Sequence, residues 1–375
     1  MKIIHIIPSL KTGGAERIAL DICIELNNHK SIEVILIVLS EINDFKNESN
    51  GIEIKYIPSK VSLSISGKTN VEITKLTSFI NDFKPDIIHT HLFEAEIISR
   101  WYINEKSTYF SHCHDNMIQL SGLSTKKSIK KNITDIYEKN IITKRYLSCE
   151  NQFIAISNHT KIYFTNVLPK KLTQNIHLLS NAIDYKKFYA KGNVKKSNIL
   201  RLINVGSFAP KKNQTFLVDI LLELKSRGIR CELYLLGEGE EYEKVKEKAF
   251  LNGLNNEIHF LGNIKNVEEQ LWKSHLYIHS AYYEPFGLVL LEAMAAGLPV
   301  ITLDGKGNRD LIEEGKNGYM VSDENPEKFA SKISTLIYNT DKYDEMSNYC
   351  KEYAKQYDIK EYANKLLTLY KESMS

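Results

Sequence analysis

The chain contains 375 residues, of which 43% are hydrophobic and 25% are charged. This length predicts about two domains of roughly 100 to 200 residues, and the composition excludes disordered, collagen-like and disulfide-scaffold classes. The formal net charge of +3 is too balanced for a strongly basic nucleic-acid binder, so no nucleic-acid partner is expected. Five cysteines without a Cys-x-x-Cys spacing indicate a reducing compartment, and we expect the cytoplasm.

The sequence offers little that would target a membrane. The apolar run before Pro8 is too short for a signal peptide, so no secretion signal is predicted. The longest aliphatic stretches, such as residues 34–39, fall far below the ~18 residues that span a bilayer. Any membrane contact is therefore expected to be peripheral.

Short aliphatic runs alternate with helical patterns along the whole chain, which is typical of parallel sheets flanked by helices. In the first half the predicted strands are KIIHIIP, EVILIVL, PDIIHTH, KSTYFSHCH, QFIAIS and IHLLSNAI. In the second half they are RLINVG, CELYLLG, EIHFLG, LYIHSA, LPVITL and GYMV. The chain is thus predicted to be α/β throughout, with two doubly wound domains and a ligand site in the cleft between them.

Two further segments set the predicted domain limits. Residues 190–198 are polar and lack periodicity, which makes them the best linker candidate. From about residue 358, apolar residues at helical spacing predict a helix that needs a hydrophobic surface: Ile359, Tyr362, Ala363, Leu366, Leu367 and Tyr370. We therefore expect domains at 1–190 and 199–357, and a helix at 358–375 that packs back on the N-terminal domain.

Segment 280–299 carries the strongest chemical signal. A strand ends near Ser280, Pro285 suits the first turn of a helix, and Gly297 suits its left-handed C-terminal cap. Glu284 is then expected at the helix entrance and Glu292 about two turns into the helix. A buried carboxylate needs hydrogen-bond donors, and paired ribose hydroxyls would serve. Taken singly, each glutamate is equally well explained by the helix dipole or by solvent exposure.

Three other loops follow predicted strands. Gly13 and Gly14 join the first strand to a helix, where small residues let a ligand approach the positive helix end, although a plain tight turn explains them too. Lys211 and Lys212 occupy a similar place in the second half, although paired loop lysines are usually solvated. His114 ends another strand, at the edge where parallel sheets place ligand-contacting groups.

The segment from His112 to His114 raises the question of a metal. The residue types suit a transition metal, as do His89 and His91, but adjacent residues alternate across a strand and cannot all face one ion. We expect no metal site, and a buried, hydrogen-bonded imidazole is the simpler explanation of each histidine alone.

Taken together, these segments are similar to retaining GT-B glycosyltransferases, specifically to glycosyltransferase family four. The resemblance covers nearly the whole chain, through GGAER, PDIIHTH, SHCHD, NAIDYKKF, VGSFAPKKN, LLGEGEE and GYMV. Its most specific element is the pair of glutamates separated by seven residues in EPFGLVLLE. The family contains many enzymes of bacterial surface-polysaccharide synthesis.

The resemblance implies a role for each candidate residue. The catalytic residues would be His114 near the reacting sugar, Lys212 on the donor diphosphate and Glu284 on the sugar hydroxyls. Donor binding would involve these last two together with Gly14, Ser207, Phe286, Gly287, Leu288 and Glu292. Two departures stand out: Ser207 replaces a common arginine beside the diphosphate, and Ala182 replaces a glycine in a turn.

The implied function is transfer of a hexose from a nucleotide sugar, by default a UDP-sugar, to a glycan or lipid-linked acceptor of cell-surface polysaccharide. No cofactor or metal is expected, since lysine and helix N-termini can stabilise the leaving diphosphate. Two alternatives remain open: a UDP-sugar epimerase of the same fold, and a non-catalytic nucleotide-sugar-binding relative or partner subunit. Slow release of nucleoside diphosphate without acceptor would identify a transferase.

Residues 121–148 are strongly basic, with seven lysines and arginines against two acidic residues. We expect the interleaved Ile129, Ile133, Ile136 and Tyr137 to pack inward while the basic face meets anionic lipid, which would bring the protein to the inner face of the plasma membrane. A solvated basic helix is an equally good interpretation.

Overall fold

The computed structural model describes residues 1–64, 69–122, 128–192 and 198–374. It contains two compact units, which are Met1–Ala182 with Ile359–Ser375, and Ile183–Asp358. Part of the proposed linker, residues 193–197, lies outside the described residues, as do Lys126 and Lys127 of the basic segment.

The first unit contains nine described strands and six helices before its C-terminal segment. The strands are β1 (Lys2–Ile7), β2 (Glu33–Val38), β3 (Glu53–Tyr56), β4 (Lys60–Ser62), β5 (Asn70–Glu72), β6 (Ile87–His91), β7 (Thr108–Cys113), β8 (Asn151–Ala155) and β9 (Ile176–Leu178). The helices are α1 (Gly14–Asn27), α2 (Thr74–Phe83), α3 (Leu92–Ser99), α4 (Ile129–Leu147), α5 (Asn158–Val167) and α6 (Lys170–Thr173).

Seven of these strands form one parallel sheet in the order β3-β2-β1-β6-β7-β8-β9, and β4 and β5 form a separate antiparallel pair. Alternate residues of each strand face opposite sides. In β1, Ile3 and Ile7 face α1, whereas Ile4 and Ile6 face α2 and α3. Helices therefore cover both faces of the sheet, as a doubly wound fold requires.

The second unit repeats this architecture. Its strands are β10 (Leu200–Val205), β11 (Cys231–Leu236), β12 (Ile258–Gly262), β13 (Leu276–His279), β14 (Val300–Leu303) and β15 (Gly318–Val321). Its helices are α7 (Tyr185–Phe188), α8 (Thr215–Ser226), α9 (Tyr242–Leu251), α10 (Val267–Leu271), α11 (Leu288–Ala295), α12 (Pro326–Ile337) and α13 (Thr340–Lys355). The parallel sheet has the order β12-β11-β10-β13-β14-β15.

The predicted α/β class with two Rossmann-like sheets is confirmed. All twelve strand runs read from the sequence form strands, whereas β3, β4 and β5 escaped prediction because they are short and largely exposed. The isoleucines of α4 correct another expectation. Ile129, Ile133 and Ile136 are exposed, and Ile142 and Tyr146 form the buried face instead.

The segment after the second unit forms helix α14 (Ile359–Ser373), which belongs to the first unit. Its buried residues are the six that the helical spacing predicted: Ile359, Tyr362, Ala363, Leu366, Leu367 and Tyr370. They join the core formed by α1 and one face of the seven-stranded sheet. Helix α14 therefore completes a core whose other residues come from the first half of the chain.

Removing a buried side chain of α14 should weaken the first unit. Leu366 is fully buried, so we expect Leu366→Ala to lower the free energy of unfolding by about 3 to 5 kcal/mol through lost contacts and a residual cavity. Lys365→Ala, on the exposed side of the same helix, should change it by less than about 0.5 kcal/mol. Urea unfolding followed by far-UV circular dichroism measures both, and equal losses would place α14 outside the core.

Candidate active site

The second sheet changes direction between β10 and β13, the first strand and the fourth in chain order. Helices leave such neighbouring strands on opposite faces, and a crevice opens at their carboxyl ends. The loop after β10 carries Ser207 and Lys212, and the loop after β13 carries Glu284. The fold thus brings three sequence-predicted residues of the second half to one edge of one sheet.

Lys212 and Glu284 form a largely buried ion pair. The Lys212 Nζ lies 2.5 Å from the Glu284 Oε2, and the two side chains are 17% and 10% exposed. Nε2 of His279, the last residue of β13, lies 3.2 Å from the same oxygen. Ser280 donates its hydroxyl to the Lys212 carbonyl at 2.7 Å, which ties the two loops together.

The charge on Glu284 is set by its neighbours rather than by its burial. Burial raises the pKa of this carboxyl, but the Lys212 ammonium and the His279 ring outweigh it and hold the pKa well below its ordinary value. Burial also lowers the pKa of His279. At neutral pH the Glu284 side chain is therefore a carboxylate, and the His279 imidazole is uncharged.

The backbone of Glu284 is fixed by the loop that follows β14. Glu284 donates its N–H to the Gly305 carbonyl at 2.7 Å, and its own carbonyl accepts the N–H of Gly307 at 3.0 Å. A Cβ on Gly307 would lie 1.8 Å from the Pro285 carbonyl oxygen, so no other residue fits there. Buried Asn308 accepts the Gly305 N–H and donates to the Leu303 carbonyl, which holds the loop in place.

The segment after Glu284 differs from the prediction in where the helix begins. Helix α11 starts at Leu288 behind an N-cap at Gly287, whose φ of +102° suits glycine, so Pro285 lies in the loop and not in the first turn. Gly297, just past the helix, has the predicted left-handed conformation with φ +80°. Phe286 is buried and Leu288 is half-buried.

Glu292 lies in the second turn of α11 and is half-buried. Glu284 and Glu292 both influence the buried Tyr277 phenol. Burial is the largest cause that raises the pKa of this phenol, and the two carboxylates raise it further. That phenol donates a hydrogen bond to the Val205 carbonyl at the end of β10. The two glutamates of the motif are therefore electrostatically coupled to one buried group at the switch point.

The remaining predicted residues take different positions. Ser207 is exposed in the loop after β10, with its carbonyl bound by Gln214 at 2.9 Å. Lys211 and Lys212 have different neighbours. The Nζ of Lys211 lies 5.4 Å from the centre of the Tyr283 ring, whereas that of Lys212 pairs with Glu284. In the first unit, Gly14 is exposed at the start of α1, directly after its N-cap Gly13.

His114 belongs to a cluster of five histidines in the first unit. His5, His89, His91, His112 and His114 lie on β1, on β6 and at the end of β7, and parallel pairing sets His5 beside His89 and His91 beside His112. All five share the sheet face that α14 covers, because they stand an even number of residues from Ile3, Ile87 or Phe110 in the core on that side. His114 Nε2 contacts His91 Nδ1 at 2.8 Å.

The five imidazoles are uncharged at neutral pH. Burial lowers the pKa of His5 to about 3 and that of His112 to about 4. The pKa values of His89, His91 and His114 are also far below normal, first through burial and then through repulsion from the neighbouring rings.

The cluster also offers the nitrogen ligands that a metal needs. Two sets have ligand atoms within 4.8 Å of one another, one of His5, His89 and His91 and the other of His91, His112 and His114. These rings also form hydrogen bonds with each other, and such contacts compete with coordination because a hydrogen and a metal need the same lone pair. The absence of a metal site remains a prediction.

Sequence reasoning missed members of both sites, among them His279 and Tyr370. His279 was read only as part of a strand, although its position as the last residue of β13 could have indicated a residue of the carboxyl edge. Tyr370 was read as one apolar position of a helix. Nothing in the local sequence shows that its hydroxyl contacts His89 Nδ1 at 2.5 Å, across 281 residues of chain.

The chain matches two family models that meet near the middle. Residues 12–187 match Glycosyltransferase Family 4, and residues 186–357 match Glycosyl transferases group 1. The chain belongs to the GT-B glycosyltransferases of family four. This result confirms the resemblance to glycosyltransferase family four that was read from the sequence.

Two curated relatives show the extent of the likeness to this family-four chain. Poly(glycerol-phosphate) alpha-glucosyltransferase of Bacillus subtilis is 31% identical over 163 residues, which make up 43% of this chain and 24% of that protein. An uncharacterized glycosyltransferase of Haemophilus influenzae is 24% identical over 236 residues, or 62% of this chain and 67% of that protein. The matched part is thus only about a quarter of the length of the first relative.

Solved structures confirm the GT-B fold. HepE of Anabaena, in complex with UDP and glucose, has a TM-score of 0.77 at 19% identity, and the match covers 98% of each chain. TarM of S. aureus, a variant in complex with Fondaparinux, alpha-GlcNAc-glycerol and UDP, has a TM-score of 0.75 at 13% identity and covers 98% of this chain and 99% of TarM.

The Lys212–Glu284 pair predicts a pH-dependent loss of stability on mutation. Lys212→Met leaves the Glu284 carboxylate buried without its cation, so we expect a loss of about 3 to 5 kcal/mol in unfolding free energy at pH 7. In the parent protein, stability from Glu284 is present above its unfolded pKa of about 4.3 and falls as the pH drops toward its lower folded pKa. In the variant, burial dominates and the pKa rises, so lowering the pH relieves the penalty.

Urea unfolding at pH 7 and pH 4.5 measures the difference in unfolding free energy between the parent protein and Lys212→Met. This difference should be smaller at pH 4.5. The double variant Lys212→Met/Glu284→Gln is the matched control, because it lacks the buried carboxylate of this pair and should recover much of the loss. A difference independent of pH would show that the pair is not the origin of the effect.

Proposed function

We propose that the protein is a retaining hexosyltransferase that moves a sugar from a UDP-sugar to a glycan or lipid-linked acceptor of cell-surface polysaccharide. The observation that carries the proposal is the Lys212–Glu284 pair at the switch point of the second sheet; Glu292 acts electrostatically on the same buried phenol as Glu284. Retention and the type of acceptor rest on the family resemblance. UDP as the nucleotide is supported by the HepE complexes with UDP and with UDP-glucose.

The ion pair suggests how the site receives its donor. In the structure, Lys212 and Glu284 neutralise each other. A donor diphosphate would compete with Glu284 for the Lys212 ammonium, while sugar hydroxyls would replace that ammonium as hydrogen-bond donors to the Glu284 carboxylate. Binding would thus exchange one buried pair for two charge-assisted contacts, and it would need both parts of the donor.

Contact between Lys212 and the donor diphosphate would also place a positive charge where negative charge develops during the reaction. Departure of the nucleoside diphosphate leaves negative charge on the phosphate, and a preorganised positive group stabilises it. Lys212 would supply a larger share of that positive charge, because Ser207 stands where many relatives carry arginine. The reaction is therefore proposed to require no metal. Glu292 would accept hydrogen bonds from the ribose hydroxyls, and His114 would contact the reacting sugar.

Release of UDP from UDP-sugars without acceptor tests the proposal. We expect slow hydrolysis of one UDP-sugar, in the presence of excess chelator. Lys212→Ala should lower the rate by about 100- to 1000-fold, the loss typical of one preorganised electrostatic donor, and Lys211→Ala should lower it far less. Both variants are assayed below their unfolding temperatures, with folding checked by circular dichroism.

The outcomes separate the alternatives. Binding of a UDP-sugar without UDP release would indicate a non-catalytic subunit, and conversion of the sugar while it stays attached to UDP would indicate an epimerase. A rate that metal alone restores after chelation would refute the metal-independent mechanism. A larger loss at Lys211 would show that the wrong lysine was assigned to the diphosphate.

A peripheral contact with anionic lipid is also proposed, through helix α4. No helix among the described residues is both long and apolar enough to cross a bilayer. In α4, however, Ile129 is 80% exposed and Ile133 is 48% exposed, next to the exposed Lys130. Apolar side chains that face water beside basic ones fit a helix that lies in the lipid headgroup region.

Vesicle co-sedimentation tests this contact. We expect binding to vesicles that contain phosphatidylglycerol, weakening with salt, and none to pure phosphatidylcholine. Ile129→Ser/Ile133→Ser should reduce binding severalfold. Ile162→Ser, which changes an isoleucine of α5 that is 62% exposed, should not reduce it. Equal binding by all three proteins would favour a solvated helix.

A further inference from the structure

The five histidines form part of one continuous chain of hydrogen bonds. In order, the chain runs through His114, His91, His5, Tyr370, His89, His112 and Asn181. The successive distances between its nitrogen and oxygen atoms are 2.8, 2.9, 3.3, 2.5, 3.2 and 3.1 Å. Each internal imidazole uses one nitrogen toward one neighbour and the other nitrogen toward the next.

The supply of hydrogens matches the number of contacts. An uncharged imidazole carries one N–H, and a phenol carries one O–H. Five histidines and Tyr370 therefore provide six hydrogens for six contacts. The low pKa values of the buried rings support the uncharged form. Every contact can then hold one hydrogen, provided that all of them point the same way.

Asn181 decides the direction. Its Oδ1 can only accept, so His112 Nε2 carries the hydrogen in the contact between them. His112 Nδ1 must then accept from His89 Nε2, and His89 Nδ1 accepts the Tyr370 hydroxyl. One end of the chain thus fixes the tautomer of each ring in turn.

Beyond Tyr370 the same logic continues to the other end. The phenol oxygen, having given its hydrogen to His89, accepts from His5 Nε2. His5 Nδ1 then accepts from His91 Nε2, and His91 Nδ1 accepts from His114 Nε2. His114 therefore carries its hydrogen on Nε2, and its Nδ1 is left unprotonated.

We propose that Asn181 and Tyr370 are positioning residues that set the tautomer of His114, so that its Nδ1 accepts a hydrogen bond from a sugar hydroxyl. His114 is half-buried, whereas the other four rings are fully buried, so it is the end of the chain that a substrate can reach. The identity of the hydroxyl donor rests on the proposed function, but the tautomer does not.

Long-range ¹H–¹⁵N correlation spectra of ¹⁵N-histidine-labelled protein test the tautomer, with the His114 signals assigned from their loss in His114→Gln. We expect protonated Nε2 and bare Nδ1 at His114 in the parent protein. Asn181→Leu removes the terminal acceptor, and Tyr370→Phe breaks the chain in the middle. Both variants should populate the Nδ1-protonated form of His114.

Tyr362→Phe is the matched control. Tyr362 is a second buried tyrosine of α14, and its hydroxyl has no hydrogen-bond partner among the residues that the structure describes. It should leave the His114 tautomer unchanged. Protonated Nδ1 in the parent protein, or an unchanged tautomer in both Asn181→Leu and Tyr370→Phe, would overturn the proposal; so would a tautomer change in Tyr362→Phe equal to that in Tyr370→Phe.

Kinetics with the UDP-sugar provides a second measurement. We expect Asn181→Leu and Tyr370→Phe to lower kcat/KM by about two- to tenfold, the effect of one neutral hydrogen bond, with Tyr362→Phe unaffected. Loss of activity with an unchanged His114 tautomer would also refute the positioning role. If the parent protein turns over no UDP-sugar while the spectra show the expected tautomer, the proposed function fails and the tautomer assignment stands.

Discussion

Parallel strand register is the constraint on which both candidate sites depend. Pairing of β1, β6 and β7 places His5 beside His89 and His91 beside His112, and a slip of one residue would turn a strand's histidines to the opposite face. In the second sheet, pairing of β10 with β13 brings the loops of Lys212 and Glu284 to the same edge. Strand pairing therefore brings the residues of each site together.

Buried titratable groups carry different charges in the two units. The histidines of the first unit form hydrogen bonds with one another, with a phenol and with an amide, and desolvation keeps them neutral. Glu284 is buried as well, but it faces Lys212 and stays ionised. The first arrangement controls where hydrogens sit, and the second stores a pair of charges that a ligand can separate. Burial favours the uncharged form in both cases, and the neighbouring group decides whether that preference is overcome.

The sequence was most informative where local pattern and tertiary contact agree. The buried face of α14 follows from helical spacing, and the runs rich in isoleucine, valine and leucine identify twelve strands. The pattern failed for α4, because isoleucines at helical spacing do not reveal which side of a helix meets the core. It also missed β3, whose alternation of polar and apolar residues covers only four positions.

In the candidate sites, too, local motifs were predictable from the sequence and long-range contacts were not. A motif of fixed spacing identified Glu284 and Glu292, since both lie on one short segment. The contacts that define their chemistry were not predictable, because Lys212 and Gly307 follow β10 and β14 and reach Glu284 only through the sheet, beside His279 at the end of β13. The seven-membered chain that ends at His114 depends on Tyr370 and Asn181, which only the folded backbone brings together.

Helix α14 has a consequence for the order in which the protein matures. During translation, the ribosome produces the whole second unit between Ala182 and Ile359 before it produces α14. At about 5 to 20 residues per second, that interval is on the order of 10 to 35 s. During this interval the nascent first unit exposes the apolar surface that α14 later covers. The Tyr370 phenol, which lies in the middle of the hydrogen-bond chain of the five histidines, is also missing. The first unit, whose strands are synthesised first, therefore completes its core only after the second unit has been synthesised.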